Sequence, residues 1–194
     1  MTKAQKLEQL EALIKEQRPC RKLERTATQL VFGAGNPDAD IVFVGEAPGK
    51  NEDEKGLPFV GAAGKFLDEM LASVSLSRED IYITNIVKYR PPNNRDPLPS
   101  EKEEFWPYLL KQLAIIQPKI IATLGRHSGQ AFIKDLRISA DHGKPKRIKI
   151  KRDGREETLL ILPLYHPAAA LYDGSLRTTL LEDFQFVPKL LEEY

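Results

Sequence analysis

The sequence predicts an α/β protein in which helices cover both faces of a mostly parallel sheet. Short apolar runs rich in β-branched residues alternate along the chain with segments of helical periodicity, and no internal repeat is present. The apolar runs lack the polar alternation of half-exposed strands, which is typical of strands buried on both faces of a parallel sheet. Strands and helices that alternate in this way build a layered α/β fold.

The predicted helices follow from periodicity and capping residues. Residues 3–17 form an amphipathic helix, because apolar residues recur there at helical spacing between charged ones. A helix over residues 100–116 begins with Ser100 as N-cap and has Glu103 at the capping-box position. Further helices are predicted over residues 64–74, 129–133 and 180–191, and Pro188 bends or restarts the last.

The strands are predicted from short apolar runs and from the turns that bound them. Buried strands are expected over residues 41–44, 80–87 and 119–124. A hairpin is expected over residues 146–151 and 157–163, because Asp153-Gly154 between them is a strong turn signal. Residues 24–40 are rich in turn formers, and residues 90–97 form a loop, since three prolines there forbid regular structure.

Size and composition favour one globular domain over residues 1–194, with 41% hydrophobic residues to form its core. The formal net charge of +1 excludes a strong overall field for nucleic acid or membrane, but not a local basic patch. No apolar run reaches the roughly 18 residues that a transmembrane helix needs, and the N-terminus is too polar for a secretory signal. We expect a cytoplasmic protein with no membrane partner, and a monomer.

Polar residues follow three of the predicted strands: Glu46, Asn85 and His166. Open α/β sheets bind ligands at the carboxyl ends of their strands, so these side chains are candidates for one site. The amide of Asn85 suits the edge of a planar base, although it could equally cap a turn. His166 could donate a hydrogen bond to developing negative charge, although a structural histidine is the more common case.

The stretch from Gly45 to Gly64 is a long polar loop with an aromatic residue near its end. Gly45 and Gly49 let the backbone turn and approach a ligand closely, and loops of this length are more often functional than idle. The spacing is neither a P-loop nor a dinucleotide fingerprint. Phe59 could stack on a ring or belong to the core, and Glu46 and Glu52 could hold water or be solvated carboxylates.

A basic segment over residues 142–155 could contact phosphates or form a solvated hairpin face. Its basic residues are Lys144, Lys146, Arg147, Lys149, Lys151, Arg152 and Arg155. The phosphate interpretation is strengthened by three more cations in or next to the proline loop, namely Lys88, Arg90 and Arg95.

Five motifs in order make the chain resemble the family 4 uracil-DNA glycosylases, from about Arg18 to Phe184. They are Gly45-Glu46-Ala47-Pro48-Gly49 with Glu52-Asp53 and Pro58-Phe59-Val60-Gly61-x-x-Gly64, then Tyr82 to Lys88, Arg90-Pro91-Pro92-x-Asn94-Arg95-Asp96-Pro97, Leu124-Gly125 and His166-Pro167-Ala168. The resemblance implies a three-layer αβα fold with a central four-stranded sheet. It also implies hydrolysis of the bond between uracil and deoxyribose, after the nucleotide is flipped out of the stack.

The resemblance assigns a role to each candidate residue. Phe59 would stack on uracil, Asn85 would read its N3 and O4 edge, and His166 would hydrogen-bond O2. Glu46 would hold the attacking water, aided by Glu52 or Asp53, and Gly45 and Ala47 would line the uracil pocket. Residues expected to contact uracil-containing DNA are Lys88, Arg90, Asn94, Arg95, Pro167, Ala168, Ala169 and Leu171.

The sequence departs from that family in its cysteines. Members usually hold a four-iron cluster on four cysteines, and alignment places those positions at Arg18, Arg21, Tyr89 and Phe105. Cys20 is the one cysteine of the chain and matches only with a slip of one residue, so neither a cluster nor a disulfide can be built. We expect no metal or other cofactor, with aromatic packing in place of the cluster.

A second hypothesis from another class is a DNA- or nucleotide-binding module that keeps the fold without catalysis. The presence of Glu46, Phe59, Asn85 and His166 together favours the enzyme. Cleavage of a uracil-containing oligonucleotide distinguishes the two.

Overall fold

The structure is a computed structural model that describes residues 1–152 and 154–193, and it contains one six-stranded sheet. The strands are β1 (Ala34–Gly35), β2 (Ile41–Gly45), β3 (Tyr82–Asn85), β4 (Ile120–Leu124), β5 (Lys146–Arg152) and β6 (Arg155–Leu164). Their order across the sheet is β1-β3-β2-β4-β6-β5. Asp153, predicted as part of the hairpin turn, lies outside the described residues.

The four central strands are parallel, and the two edge strands are antiparallel to their neighbours. Strands β3, β2, β4 and β6 form the predicted parallel core. Strand β1 extends it at one edge, and β5 extends it at the other through the predicted hairpin. The sheet is therefore wider than the four-stranded sheet that the resemblance implies, because it has an antiparallel strand at each edge.

The helices surround this sheet in the order of the chain. They are α1 (Lys3–Gln17), α2 (Arg21–Glu24), α3 (Lys50–Lys55), α4 (Ala62–Ser73), α5 (Pro99–Ile116), α6 (Arg126–Phe132), α7 (Ile138–Asp141), α8 (Ala169–Tyr172), α9 (Gly174–Phe184) and α10 (Val187–Glu193). A 3-10 turn (Pro92–Asn94) lies in the proline loop. The N-terminal helix has the predicted bounds. The closing segment restarts, as predicted at Pro188, and forms two helices with Pro188 in the first turn of the second; the first of them begins earlier than predicted, at Gly174.

The start of α5 corrects the predicted cap. Residue Leu98, rather than Ser100, precedes the helix, and Pro99 occupies its first position. The backbone N–H of Leu98 donates to Oε2 of Glu101 at 2.7 Å, so Glu101 takes the role expected of Glu103. Proline is well suited to the first helical position because its missing N–H would have no partner there.

Side chains alternate between two hydrophobic clusters, one on each face of the sheet. In β2, Val42 and Val44 belong to one cluster, and Ile41 and Phe43 to the other. The first cluster contains residues of α1 and α5, and the second contains residues of α4, α9 and α10. Helix layers on both faces explain why the central strands are apolar at every position. Among the described residues, no helix is long and apolar enough to cross a membrane.

The strand register brings the predicted site residues to one edge of the sheet. Gly45 at the end of β2 pairs with Asn85 at the end of β3, and Leu124 pairs with Leu164 at the ends of β4 and β6. The loops that follow these strands therefore begin side by side.

Candidate active site

A pocket of about 620 Å³ opens at the carboxyl ends of the parallel strands. Its wall includes carboxylate, imidazole, amide and phenyl groups, among them those of Glu46, Glu52, His127, His166, Asn85 and Phe59. Residues 46 to 166 are far apart along the chain, and the parallel strands bring them together. This is the location that open α/β sheets use for ligands.

The amide of Asn85 lies on the pocket wall without a partner. The residue is only 2% exposed, and its side chain makes no hydrogen bond to the part of the chain that the structure describes. A Cβ at Gly45 would lie 2.3 Å from Oδ1 of Asn85, so the glycine leaves the space that this amide occupies. Buried amides are normally hydrogen-bonded, so this one is arranged to bind a ligand.

The ring of Phe59 forms the facing wall, beside His166. The two ring centroids are 5.7 Å apart with an angle of 31° between the planes. Phe59 is buried and has a φ of 52°, which is unfavourable for a residue with a bulky side chain. A strained backbone at a pocket indicates that the surroundings fix the position of the ring.

Two charged residues hold the loop that carries Phe59. Oε1 of Glu52 accepts hydrogen bonds from the backbone N–H groups of Val60 and Gly61, each at 2.9 Å. From outside, the guanidinium of Arg78 donates to the carbonyls of Pro58 and Phe59. Glu52 thus braces the loop with one oxygen, and Arg78 is a positioning residue that the sequence analysis did not select.

Asp53 does not belong to the site, which corrects its predicted role in holding water. The residue is 3% exposed and does not line the pocket. Its carboxylate accepts from the backbone N–H and the hydroxyl of Thr28, both at 2.9 Å. Since these bonds join α3 to the connection before β1, Asp53 has a structural role.

His166 has a defined tautomer. Its Nδ1 accepts a hydrogen bond from the backbone N–H of Ala168 at 3.1 Å, so the proton of the neutral ring is on Nε2. Burial lowers the pKa of His166 to about 4, and the charge of Glu52 opposes this only in part. The ring is therefore a neutral N–H donor at neutral pH.

Glu46 lines the pocket within a group of charged side chains. Nζ of Lys102 is 2.6 Å from its Oε1, and Nδ1 of His127 is 3.9 Å from the same oxygen. Oδ2 of Asp96 lies 3.6 Å from Nε2 of His127. Glu46, Asp96 and His127 have the spacing of a cation site, but the ammonium of Lys102 already neutralises Glu46.

The sequence analysis missed residues in the pocket wall and next to it. Lys102 on α5 and His127 on α6 reach Glu46 from outside its motif. Tyr172, at the end of α8, lies at the mouth and is 92% exposed. In the sequence, the one signal for Tyr172 was an aromatic residue shortly after the motif His166-Pro167-Ala168.

The proline loop forms one rim of the pocket. Asn94 and Arg95 line it, and Nε of Arg90 donates to Oδ1 of Asn94 at 2.7 Å. The guanidinium of Arg95 pairs with both oxygens of Glu101, at 2.9 and 2.7 Å. The contact of Arg90, Asn94 and Arg95 with DNA stays a prediction.

Two of the residues expected to contact DNA are buried, and the expectation is wrong for both. Lys88 is 0% exposed, and its amine donates to groups inside the protein. Pro167 is also buried. Ala168 lines the pocket, Ala169 is half-buried, and Leu171 is exposed beside the mouth.

The basic hairpin lies outside the pocket. Lys146 pairs with Asp141 at 2.9 Å and Lys149 with Glu156 at 3.1 Å, so part of its charge is neutralised locally. The side chains of Lys151, Arg152 and Arg155 lie outside the described residues. The choice between phosphate contact and a solvated face stays open.

Comparison with protein families identifies the family of the chain. The family model "Uracil DNA glycosylase superfamily" matches residues 32–189, a span that contains the strands, the pocket and the loops around it. The chain belongs to the uracil DNA glycosylase superfamily.

Characterised relatives narrow the resemblance within the superfamily. The chain is 48% identical to the type-4 uracil-DNA glycosylase of Archaeoglobus fulgidus, over 95% of this chain and 94% of that protein. It is 46% identical to the type-4 enzyme of Sulfurisphaera tokodaii and 44% identical to that of Saccharolobus solfataricus. These alignments cover 86% and 88% of the relatives and 95% of this chain in each case. The predicted resemblance to family 4 and the predicted α/β fold are thus confirmed.

The positions aligned with the cluster cysteines of family 4 do not fit a four-iron cluster. Four thiolates hold such a cluster, and Arg18, Arg21, Tyr89 and Phe105 supply none. The rings of Tyr89 and Phe105 pack edge to face with centroids 5.8 Å apart. Cys20 is buried beside them; its Sγ is 3.5 Å from the carbonyl of Glu101, and burial raises its pKa to about 12.

Proposed function

We propose that this chain hydrolyses the N-glycosidic bond of deoxyuridine in DNA, which releases uracil and leaves an abasic site. The observation that carries the proposal is the unpaired amide of Asn85, buried at the carboxyl edge of the sheet and facing a phenyl ring. Relatives that cover nearly the whole chain carry the name type-4 uracil-DNA glycosylase. The names of these relatives support hydrolysis of this bond as the reaction of the pocket.

The pocket can select uracil by its hydrogen-bonding edge. A nucleotide must leave the base stack to reach it, at a cost of a few kcal/mol. Once there, the base stacks on Phe59, which lines the wall. The carboxamide of Asn85 accepts from N3–H of uracil and donates to O4. Cytosine exchanges donor and acceptor at these positions, so it leaves two buried groups unpaired at a cost of about 1–3 kcal/mol each.

Two groups assist departure of the base. The Nε2–H of His166 donates to O2 of uracil as negative charge develops there. Because the imidazole is neutral, it stabilises this charge as a hydrogen-bond donor, and the ring keeps its proton. Glu46 orients the attacking water at the other side of the sugar. Lys102 holds that carboxylate in place through the 2.6 Å ion pair.

The test is a uracil-containing oligonucleotide, single- and double-stranded, treated with the protein and then with alkali. We expect strand scission by the natural protein and its loss in Asn85→Ala and His166→Ala. Gln9→Ala, which removes an exposed amide on α1, is the matched control and retains scission. Melting curves confirm that each variant is folded.

Binding without scission would favour the second hypothesis, a DNA- or nucleotide-binding module on the same fold. In that case the natural protein binds the oligonucleotide but leaves it intact after alkali. The neutral His166 and the Glu46–Lys102 pair favour the enzyme, since simple binding of DNA needs neither.

We propose further that the protein functions without a four-iron cluster. The contacts of Tyr89, Phe105 and Cys20 support this, because apolar packing occupies the region where the aligned cysteines would stand. Iron analysis and the visible absorption spectrum of protein purified without oxygen test it. Stoichiometric iron with the absorption of a cluster would contradict it.

DNA that contains uracil is the expected macromolecular partner. A monomeric state and a cytoplasmic location stay predictions. Size-exclusion chromatography with light scattering tests the first, and fractionation of the source cells tests the second.

A further inference from the structure

The amine of Lys88 lies inside the protein, directly behind the residue proposed to read the base. Its Nζ donates to the backbone carbonyl of Asn85 at 2.8 Å. It also donates to Oγ1 of Thr84 at 2.5 Å and to Oε1 of Gln112 at 2.6 Å. Three oxygen atoms thus surround Nζ, and the side chain is 0% exposed.

The acceptors of Lys88 are themselves hydrogen-bonded. The hydroxyl of Thr84 donates to the carbonyl of Phe32 at 2.8 Å. The amide of Gln112 donates to the same carbonyl at 3.2 Å and to the hydroxyl of Tyr82 at 3.0 Å. This network, defined here as Lys88, Thr84, Gln112, Tyr82 and the Phe32 carbonyl, joins the end of β3 to α5. A fully paired buried network is rigid.

Lys88 has no counter-charge among the described residues that bond to it. Each acceptor of Nζ is a neutral oxygen. Burial lowers the pKa of Lys88 well below its usual value, and burying an amine in this way is costly. A leucine or methionine would fill the same space at lower cost, so packing alone does not account for a lysine here.

The position of Asn85 depends on few contacts. Its side-chain amide has no hydrogen-bond partner in the described chain, so the backbone and the contacts with Gly45 and Phe59 decide where the amide is directed. The backbone of Asn85 is held on one side by β2, where Asn85 pairs with Gly45 in the sheet. The carbonyl of Asn85 is held by Lys88.

We propose that Lys88 is a positioning residue for base selection, which fixes the carbonyl of Asn85 and thereby the direction of its amide into the pocket. The inference rests on the proposed function, because it concerns how Asn85 reads uracil. A displacement of about 1 Å at a reacting site can lower the rate about 100-fold. Loss of the Lys88 bond therefore affects recognition of the base and leaves contacts to the DNA backbone intact.

The test compares Lys88→Met with Leu113→Ala. The methionine keeps an unbranched side chain but has no N–H donor, and Leu113→Ala removes core packing in the same hydrophobic cluster without changing the network. Four quantities are measured at a temperature at which both variants are folded. They are kcat and KM on a uracil-containing single strand, inhibition by free uracil, and Kd for the same strand with an abasic-site analogue in place of deoxyuridine.

We expect Lys88→Met to lower kcat by about 10- to 100-fold and to weaken inhibition by free uracil. Its Kd for the abasic strand should stay within about twofold of the natural protein, and Leu113→Ala should keep kcat within about twofold. Unchanged kcat and uracil inhibition in folded Lys88→Met would overturn the inference. So would an equal weakening of abasic-strand binding, which would indicate a general structural role.

A second variant covers the case in which Lys88→Met does not fold. Gln112→Met removes one acceptor of Nζ and loosens the Lys88 side chain without deleting it. It should lower kcat while the Kd for the abasic strand is unchanged, and an unchanged kcat would overturn the inference. If the natural protein itself releases no uracil, the proposed function fails. If it releases uracil and these variants do so equally well, only the role of Lys88 fails.

Discussion

The imidazole of His166 accepts a hydrogen bond at Nδ1 from the backbone N–H of Ala168, at 3.1 Å. The donor lies two residues further along the chain, so the loop that begins at His166 fixes the tautomer of its own first residue. The other ring nitrogen, Nε2, must then carry the proton in the neutral form. Protonation of the ring would place a second proton on Nδ1 against a backbone N–H and break this contact.

The free energy of unfolding should depend on pH through His166. Burial lowers the pKa of folded His166 to about 4 from an ordinary value of 6.5, so the unfolded chain binds more protons between these two values. Stability contributed by neutral His166 is therefore present above pH 6.5 and is lost as the pH falls towards 4. We expect the free energy of unfolding to decrease over this range less steeply in His166→Asn than in the natural protein. Denaturant titrations across the range measure the slopes, and equal slopes would contradict the assignment.

The lowered pKa of His166 also predicts the pH dependence of the reaction. The rate of uracil release, plotted against pH, should show no inflection from His166 near the ordinary pKa of histidine. The imidazole stays neutral until the pH approaches 4, so its hydrogen bond to the base is available throughout the neutral range. Rates of uracil release measured from neutral to acidic pH check this. An inflection near 6.5 that disappears in His166→Asn would show that the ring titrates normally.

Replacement of Glu46 should affect the chemical step more than binding. Glu46→Gln keeps the shape but loses the charge that pairs with Lys102, and kcat should fall by about 100-fold or more with little change in KM. Lys102→Met should produce a smaller loss, because the carboxylate remains but is no longer held. Lys65→Met, an exposed lysine on α4, serves as control. Single-turnover kinetics measure these effects, and an active Glu46→Gln would assign the water to another group.

A methyl group at Gly64 should displace Phe59. A Cβ there would lie 1.8 Å from the carbonyl oxygen of Phe59, and that atom belongs to the backbone and cannot rotate away. We expect Gly64→Ala to lose about 1–3 kcal/mol of stability and most of its activity on uracil. Gly174→Ala is the matched control, since nothing lies within 4 Å of its added Cβ. A stable, active Gly64→Ala would show that the loop is not confined by this contact.

The exposed ring of Tyr172 should contribute to DNA binding. It is 92% exposed at the mouth of the pocket, where an unstacked base next to the flipped nucleotide would lie. Stacking of a base on an aromatic ring is worth about 1–3 kcal/mol, so Tyr172→Ala should weaken binding of duplex DNA by about tenfold or more. Tyr172→Phe should bind normally, and so should Phe186→Ala, an exposed aromatic outside the pocket. Normal binding by Tyr172→Ala would exclude stacking.

Much of the fold could be predicted because its signals are local. Apolar β-branched runs predict β2 and β4 within a residue or two, and apolar residues at helical spacing predict α1 with the bounds that the structure has. The edge strand β1 was missed, since two residues carry no periodicity and are defined only by pairing with β3. The cap of α5 was misplaced because several acidic residues near its start satisfy the same pattern.

The site was predicted in part. Glu46, Phe59, Asn85 and His166 line one pocket, as the resemblance implies. Lys102, His127 and Arg78 were not selected, because their contacts join segments that are distant in sequence. Conversely, Lys88 and Asp53 have charges that favour a surface role, and both are buried.

The sequence by itself determined the order of strands and helices, the residues that follow the strands and the absence of cysteines to hold a cluster. These properties depend on residue type and on spacing along the chain. Only the tertiary structure decided which polar side chains face the pocket and which face the interior. That choice depends on packing between distant segments, because the cost of burying Lys88 or Asp53 is offset by partners on other elements.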